Sequence, residues 1–171
     1  MNKMKYKVLV ADDEYWSCEN LRSLIAWEEY SLEFLAPASD GEEVLERIPE
    51  EKPDIILTDI NMPFLDGLEL LQRLQTQYPE IITIAVSGYD DFEKVKGVFV
   101  SGGLDYILKP VGKEELVKIL TKALGILEER ENARRNSENN LLQEHKLSSF
   151  MEDSEYSALL SGKLYGHFTT Q

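Results

Sequence analysis

Residues 7–16 read "KVLVADDEYW", and the fold turns on them. Four apolar residues, Val8 to Ala11, run directly into three acids, Asp12, Asp13 and Glu14. A short apolar run of this kind reads as a strand buried on both faces. Burying or half-burying a carboxylate is costly unless something compensates it. Adjacent aspartates at the end of such a strand therefore either face water and cap the next helix, or hold a cation.

On either side of this strand, residues 1–127 alternate between two textures. β-branched or aliphatic runs occur at 7–11, 33–38, 54–58, 81–86 and 106–108. Between them lie helical patterns: Cys18, Leu21, Leu24 and Ile25 share one face, as do Leu68, Leu71, Leu74 and Tyr78. Phe92, Val95, Val98 and Phe99 form a third such face, and Leu116, Ile119, Leu120, Ala123, Leu124 and Leu127 a fourth. A shorter helix fits 42–48, stopped by Pro49. Five strands alternating with five helices predict an α/β fold with a doubly wound parallel sheet.

Composition narrows the functions. Net charge is −14, and residues 1–127 hold 24 acids against 13 bases. This is not the basic footprint of a nucleic-acid binder, so no direct contact with nucleic acid is expected from this segment. No apolar run is long enough to cross a membrane, and "MNKMKYK" lacks the core of a signal peptide. The single Cys18 has no disulfide partner, which fits a reducing cytoplasm and a small core residue on a helix. Trp16 and Trp27 read as packing residues.

After Leu127 the texture changes. Residues 128–146 have helical propensity without an apolar stripe, as an exposed continuation of the last helix or a connector would. A coiled coil would have to resume at Leu141 across charged seam positions. Residues 147–171 carry too few apolar residues for a second core and read as the opening of a further region.

In an open parallel sheet, ligands bind beyond the carboxyl ends of the strands. At those ends stand Asp12 and Asp13, Asp59 in "DIILTDINMP", Ser87 in "ITIAVSGYDD", and Lys109 in "DYILKP". Three carboxylates in one small site repel strongly. A hard divalent cation such as Mg²⁺, which takes oxygen ligands and bridges to phosphate, removes the repulsion. Asp59 can then attack a phosphoryl group, while Lys109 and the Ser87 hydroxyl neutralise its oxygens. Alone, Asp12 and Asp13 would pass for helix caps, Asp59 for a turn residue, and Ser87 and Lys109 for solvated side chains. Their common position at the strand ends tells against those readings.

With these residues in place, "VADDE", "DIILTDINMPFLDGLEL", "SGYDDFE" and "DYILKP" together resemble the receiver domain of two-component response regulators, over residues 4–127. The resemblance implies a flavodoxin-like (βα)5 fold with five parallel strands and an extended C-terminal helix; the chemotaxis member of that family is a type example of this strand order. It implies Asp59 as phosphoacceptor, with Asp12, Asp13, Asp59 and the Asn61 backbone carbonyl holding Mg²⁺ or Mn²⁺. Ser87 and Tyr106 match the switch pair, Lys109 the phosphate-binding lysine, and Pro110 implies a cis peptide after it. Gly67 matches the turn into the third helix, Gly88 keeps space beside the phosphoryl group, and Asn61 and Tyr89 occupy positions that tune phosphoryl lifetime. The implied role is signalling, with chemistry limited to the domain's own phosphorylation and dephosphorylation. The partner would be a sensor histidine kinase, and the surface made by the helix over 91–103, the fifth strand and the last helix would change on phosphorylation.

"RSLIAWEEYSLEF", "SGYDDFE" and "DYILKPV" are further similar to receivers that carry an AraC-type DNA-binding domain downstream, in a full-length protein whose homodimerisation the sequence leaves open. Residues 1–127 would be the receiver, 128–146 a helical linker and 147–171 the start of a downstream region. One departure is Gly97 and the Gly102-Gly103 pair within 91–103, which predict a more plastic signalling face because an interior glycine costs about 1 kcal/mol relative to alanine.

Two other classes fit worse. A haloacid-dehalogenase-type phosphohydrolase needs an acid two residues after the nucleophile, where this chain has Asn61. A flavin carrier needs a phosphate-cradling loop after the first strand, where "DDEYW" would repel a phosphate. A receiver fold kept purely for assembly would not need the full set of Asp12, Asp13, Asp59, Ser87 and Lys109.

Overall fold

The computed structural model describes residues 6–88, 93, 96, 103 and 105–165. Five parallel strands form one sheet: β1 (Tyr6–Ala11), β2 (Leu32–Phe34), β3 (Ile55–Asp59), β4 (Ile82–Ser87) and β5 (Asp105–Leu108), in the order β2-β1-β3-β4-β5. The helices are α1 (Tyr15–Leu24), α2 (Gly41–Glu51), α3 (Gly67–Gln77) and α4 (Lys113–Tyr165), with a 3-10 turn at Trp27–Tyr30. This is the flavodoxin-like arrangement expected from the alternating pattern. Every residue of β3 and β4 is buried, which is why those strands read as continuous apolar runs rather than alternating ones.

Register carries the functional groups to one edge. Ala11 pairs with Thr58, Asp59 with Val86, and Ser87 with Leu108. The residues that follow or close β1, β3, β4 and β5 therefore stand side by side. On one side of the sheet, Leu9, Ala11 and Ile56 pack with Val44 and Ile48 of α2 and Leu70 and Leu74 of α3. Those helices are fixed at their starts by side-chain caps: the Glu43 N–H donates to Asp40 Oδ1 at 2.9 Å, and the Glu69 N–H to Asp66 Oδ1 at 2.8 Å.

Four expectations from sequence need correction. The second strand ends at Phe34 instead of running to Ala38, with only an isolated bridge between Ala11 and Ala38. The Ala36 and Pro37 carbonyls accept from the Arg47 guanidinium, at 2.6 and 3.2 Å, and Pro37 has no N–H for a ladder. Helix α2 runs through Pro49 to Glu51, because a proline three residues before the Lys52 C-cap removes a single hydrogen bond from a turn that is ending anyway. Ile25 lies just past the end of α1, with extended backbone, yet is buried.

The fourth correction is Trp16. Trp27 packs as expected, buried edge-on against Phe34 at 4.8 Å, with its indole N–H donating to the Arg22 carbonyl at 2.9 Å. Trp16, by contrast, is 74% exposed. The expected helix over 91–103, with Gly97 and Gly102, lies largely outside the described residues; Glu93 and Lys96 within it are helical.

The chain divides into two units, Met1–Leu124 and Gly125–Gln171. In the second, the helix continues past residue 146 to Tyr165. Its surface is laced by Arg135–Glu131 and Arg134–Glu138 ion pairs, and Leu141, Leu142, Leu147, Phe150 and Met151 are exposed. No helix among the described residues is long and apolar enough to cross a membrane.

Three non-glycine residues have positive φ. Ser31 and Lys52 are helix C-caps, where the left-handed conformation is usual. Phe64, at φ 63°, sits in the β3–α3 loop, where a bulky side chain costs about 1 kcal/mol or more. Phe64→Gly should raise stability by about 1 kcal/mol. A chemical denaturation midpoint equal to or below the parent's would contradict this.

Candidate acidic site at the carboxyl edge of the sheet

The β1–α1 and β3–α3 loops bring Asp12, Asp13 and Asp59 together, with one carboxylate oxygen of each within 4.8 Å of the others. Asp12 and Asp59 are buried, whereas Asp13 is exposed. Asp12 Oδ1 accepts the Glu14 N–H at 2.8 Å, an Asx turn that opens α1. No side chain caps α1, so neither aspartate is spent as a helix cap.

Asp59 is placed by its backbone. The Thr58 hydroxyl donates to the Asp59 carbonyl at 2.9 Å, and the Gly67 N–H donates to the Ile60 carbonyl at 2.9 Å. Gly67 stands so close that a Cβ there would lie 2.0 Å from the Asp59 carbonyl oxygen. Only glycine fits this position.

Lys109 enters from the end of β5. Its Nζ donates to Asp12 Oδ2 at 2.8 Å and lies 3.4 Å from Asp59 Oδ2. The Lys109–Pro110 peptide is cis, and the Lys109 N–H donates to the Ser87 carbonyl at 2.7 Å. Burial alone would lower the lysine's pKa, but its bond to Asp12 and the charges of Asp12 and Asp59 outweigh that and raise it. Burial pushes the Asp59 carboxyl up; Lys109 opposes the rise, and the Asp12 charge adds to it. One ammonium thus serves two carboxylates, and a third stands beside them. Oxygen donors gathered this closely, with two negative charges left over, suit a hard divalent cation.

Ser87 is fully buried, and its Oγ has no hydrogen-bond partner, the one such side-chain atom among the described residues. A buried hydroxyl left unbonded is costly and calls for an explanation. Tyr106 is partly buried and packs against Ile60, Leu71 and Ala85. Asn61 is exposed, and its N–H bonds the Asp59 carboxylate. Among the described residues nothing lies within 4 Å of a Cβ added at Gly88, and Tyr89 lies outside the described residues. An open cleft of about 710 Å³ adjoins the site, with Asp12 and Lys109 in its wall beside Leu21, Leu24, Pro110 and Val111.

Cys18 lies beneath the site. Its Sγ is 3.8 Å from the Asp12 carbonyl, and burial, with the Asp12 charge, pushes the thiol up to about 11, so it is a core residue and not a nucleophile. The feature that sequence reasoning missed is Phe64. The available signal was a bulky aromatic within "NMPFLDG", a turn stretch where glycine and asparagine are the usual solution.

Residues 8–121 match the model of the response regulator receiver domain. YesN, an uncharacterised transcriptional regulatory protein of Bacillus subtilis, is 29% identical over 157 residues, 92% of this chain and 43% of YesN. The receiver (REC) domain of AraT, a response regulator from Geobacillus stearothermophilus, superposes with a TM-score of 0.70 at 35% identity, over 74% of this chain and 98% of that one. A two-component transcriptional regulator AraC from Clostridium phytofermentans gives 0.68 at 28% identity, over 74% and 98%. The chain spans less than half the length of YesN. The parallel sheet with its acidic edge and the match over two thirds of the sequence lead to one conclusion: this chain belongs to the response regulator receiver domain family, the signalling modules of two-component systems.

Proposed function

We propose that the chain is a phosphorylation-operated switch in which Asp59 accepts a phosphoryl group from a sensor histidine kinase. The observation that carries this reading is the single Lys109 ammonium shared between Asp12 and Asp59, beside a third carboxylate and a buried, unbonded Ser87 hydroxyl. Every one of these groups gains from an incoming cation and phosphoryl group. Asp12, Asp13 and Asp59, with the Asn61 backbone carbonyl, would hold Mg²⁺ or Mn²⁺, which supplies charge neutralisation for the carboxylates and the phosphoryl oxygens.

In the transfer, an Asp59 carboxylate oxygen attacks phosphorus. An O–P bond forms, the P–N bond to the donor imidazole breaks, and the electron pair stays on that nitrogen; the donor ring, protonated on its other nitrogen, leaves as neutral imidazole. Lys109 faces the phosphoryl oxygens, which carry about two negative units in place of the single charge of the Asp59 carboxylate. The Ser87 hydroxyl donates to a phosphoryl oxygen and so makes its missing hydrogen bond. Movement of Ser87 leaves room for Tyr106 to rotate inward. The surface of the 91–103 helix, β5 and α4 then changes partner preference. Pro110 keeps the lysine-bearing loop in its cis form, and Asn61 and Tyr89 set how long the phosphoryl group lasts.

The likeness to AraC-type regulators supports an AraC-type DNA-binding output in a cytoplasmic full-length protein. Residues 1–127 act as receiver, 128–146 as linker and 147–171 as the opening of the region beyond. The chain turns over no external substrate.

The test is intact-mass measurement after incubation with Mg²⁺ and acetyl phosphate. The parent should gain one phosphoryl group and Asp59→Asn none. Equal gain in both would move the acceptor elsewhere, and no gain in either, together with no Mg²⁺ binding, would remove the switch reading.

A further inference from the structure

Asp12 and Asp59 come from two loops, and a third loop touches both. Residues 35–40, between β2 and α2, give no carboxylate to the acidic cluster. Their backbone nevertheless meets each loop that does. The Ala38 carbonyl accepts the Asp12 N–H at 3.0 Å. At the start of α2, the Gly41 N–H donates to the Leu65 carbonyl of the β3–α3 loop at 3.2 Å. A Cβ on Gly41 would lie 2.8 Å from that oxygen, so the approach is close.

The chain reaches Ala38 through a bulge. Val8 pairs with Phe34, so an unbroken register would set Pro37 opposite Ala11; Ala38 stands there instead. The Leu35 N–H donates to the Val8 carbonyl at 2.9 Å and the Ala38 N–H to the Val10 carbonyl at 2.8 Å. Three residues of the loop thus span two of β1. An extra residue kinks a strand, and bulges beside functional sites re-aim the groups that follow them. In the unbulged register Pro37 would face the Val10 carbonyl with no N–H to give, and the Ala38 carbonyl would leave the Asp12 N–H.

Two side chains of α2 grip the bulge on both sides of Ala38. Before it, Arg47 donates to the Ala36 carbonyl at 2.6 Å and to the Pro37 carbonyl at 3.2 Å. After it, Glu43 Oε2 accepts the Ser39 N–H and the Ser39 hydroxyl, both at 2.8 Å. Those bonds, the backbone one first, hold the Glu43 carboxyl below its ordinary range. Arg47 also donates to Glu43 at 3.2 Å and to Glu51 at 3.0 Å, and its side chain is only 18% exposed. A pair that served the helix alone would need the two glutamates and not the carbonyls of another loop. A guanidinium, with five donors in one plane, can hold all four partners together; an ammonium cannot.

We infer that Arg47, together with Glu43, is a positioning residue for the acidic site: it holds the bulge at 36–37 so that Ala38 fixes the Asp12 backbone, and with it the spacing of the Asp12 and Asp59 carboxylates. This rests on the reading of those carboxylates as a divalent-cation site. Neither Arg47 nor Glu43 belongs to the acidic cluster. Mg²⁺ demands near-ideal geometry at about 2.0–2.1 Å, so it registers small displacements of a ligand that leave the fold intact. Groups that orient metal ligands from outside typically change affinity by about tenfold or more when removed.

The experiment is calorimetric titration with MgCl₂ of the parent, Arg47→Met, Arg47→Lys, Glu43→Ala and Ile48→Val, with thermal melts of each in chelator. Ile48→Val trims a buried methyl from the core face of the same helix and so loosens α2 without touching the bulge. The Mg²⁺ Kd should rise about tenfold in Arg47→Met, while Ile48→Val stays within about twofold of the parent. Arg47→Lys should fail to rescue, with a Kd closer to that of Arg47→Met than to the parent's, and Glu43→Ala should shift Kd in the same direction. An Arg47→Met Kd within about twofold of the parent's would overturn the inference. So would an equal weakening in Ile48→Val, because the loss would then follow stability and not the loop. Parent-like affinity in Arg47→Lys would overturn it as well, by removing the need for the fork. Should Arg47→Met fail to fold, Glu43→Ala decides: a Kd within about twofold of the parent's overturns the inference. A parent that binds no Mg²⁺ would instead overturn the cation-site reading beneath it.

Discussion

Gly67→Ala should cost more than about 4 kcal/mol, enough to leave the protein largely unfolded or insoluble. The added Cβ would sit 2.0 Å from the Asp59 carbonyl oxygen, 2.8 Å from Ile60 Cα and 2.9 Å from the Asp59 carbonyl carbon. All three are backbone atoms of β3 and the residue after it, so no side-chain rotation relieves the clash. Either α3 pulls away, exposing Leu70, Leu71 and Leu74, or the end of β3 shifts and takes the Asp59 carboxylate with it. Phosphoryl acceptance should fail in both cases. Gly125→Ala is the control: it lies within α4 with nothing near its added Cβ, and should stabilise by up to about 1 kcal/mol. Thermal melts read both. A Gly67→Ala protein within about 1 kcal/mol of the parent would refute the close approach of α3 to β3.

Lys109→Met should lower stability by about 2 kcal/mol when divalent ions are chelated. The figure is set below the full cost of breaking a buried pair because the lysine is partly exposed. The change leaves Asp12 buried without its cation and three carboxylate oxygens within 4.8 Å of one another. Millimolar Mg²⁺ should then restore more stability to the variant than it adds to the parent, because ammonium and metal neutralise the same carboxylates. Saturation at about 100 times Kd would return about 2.7 kcal/mol. The sign of the pH dependence follows from the raised lysine pKa. Its contribution is complete below the ordinary lysine value of 10.5 and is lost as pH rises through the higher folded value. The difference between parent and variant should therefore hold across neutral pH. A variant as stable as the parent in chelator, or one that Mg²⁺ fails to recover, would show that Lys109 does not hold the acids together.

The layered fold was legible in the residues alone, because apolar runs of strand length alternating with amphipathic helical spacing leave one arrangement for a chain of this kind. So was the set of side chains that meet. In a parallel sheet every strand delivers its last residue to the same edge, so "VADDE", "ILTD", "AVS" and "ILK" belong together by topology. Features set by non-local partners were not legible. The second strand stops at Phe34, and the Ala36 and Pro37 carbonyls beyond it accept from Arg47, eleven residues after Ala36. Trp16 reads as a packing residue by composition, yet α1 turns its Cys18 and Leu21 face inward and leaves the indole in water. The left-handed backbone of Phe64 lies on the path from Asp59 to Gly67, which closes tightly enough to bring α3 onto β3. Local periodicity encodes which face of an element is apolar. Packing in three dimensions settled which of the remaining large side chains had a surface to rest against, and around the acidic edge three of them had none.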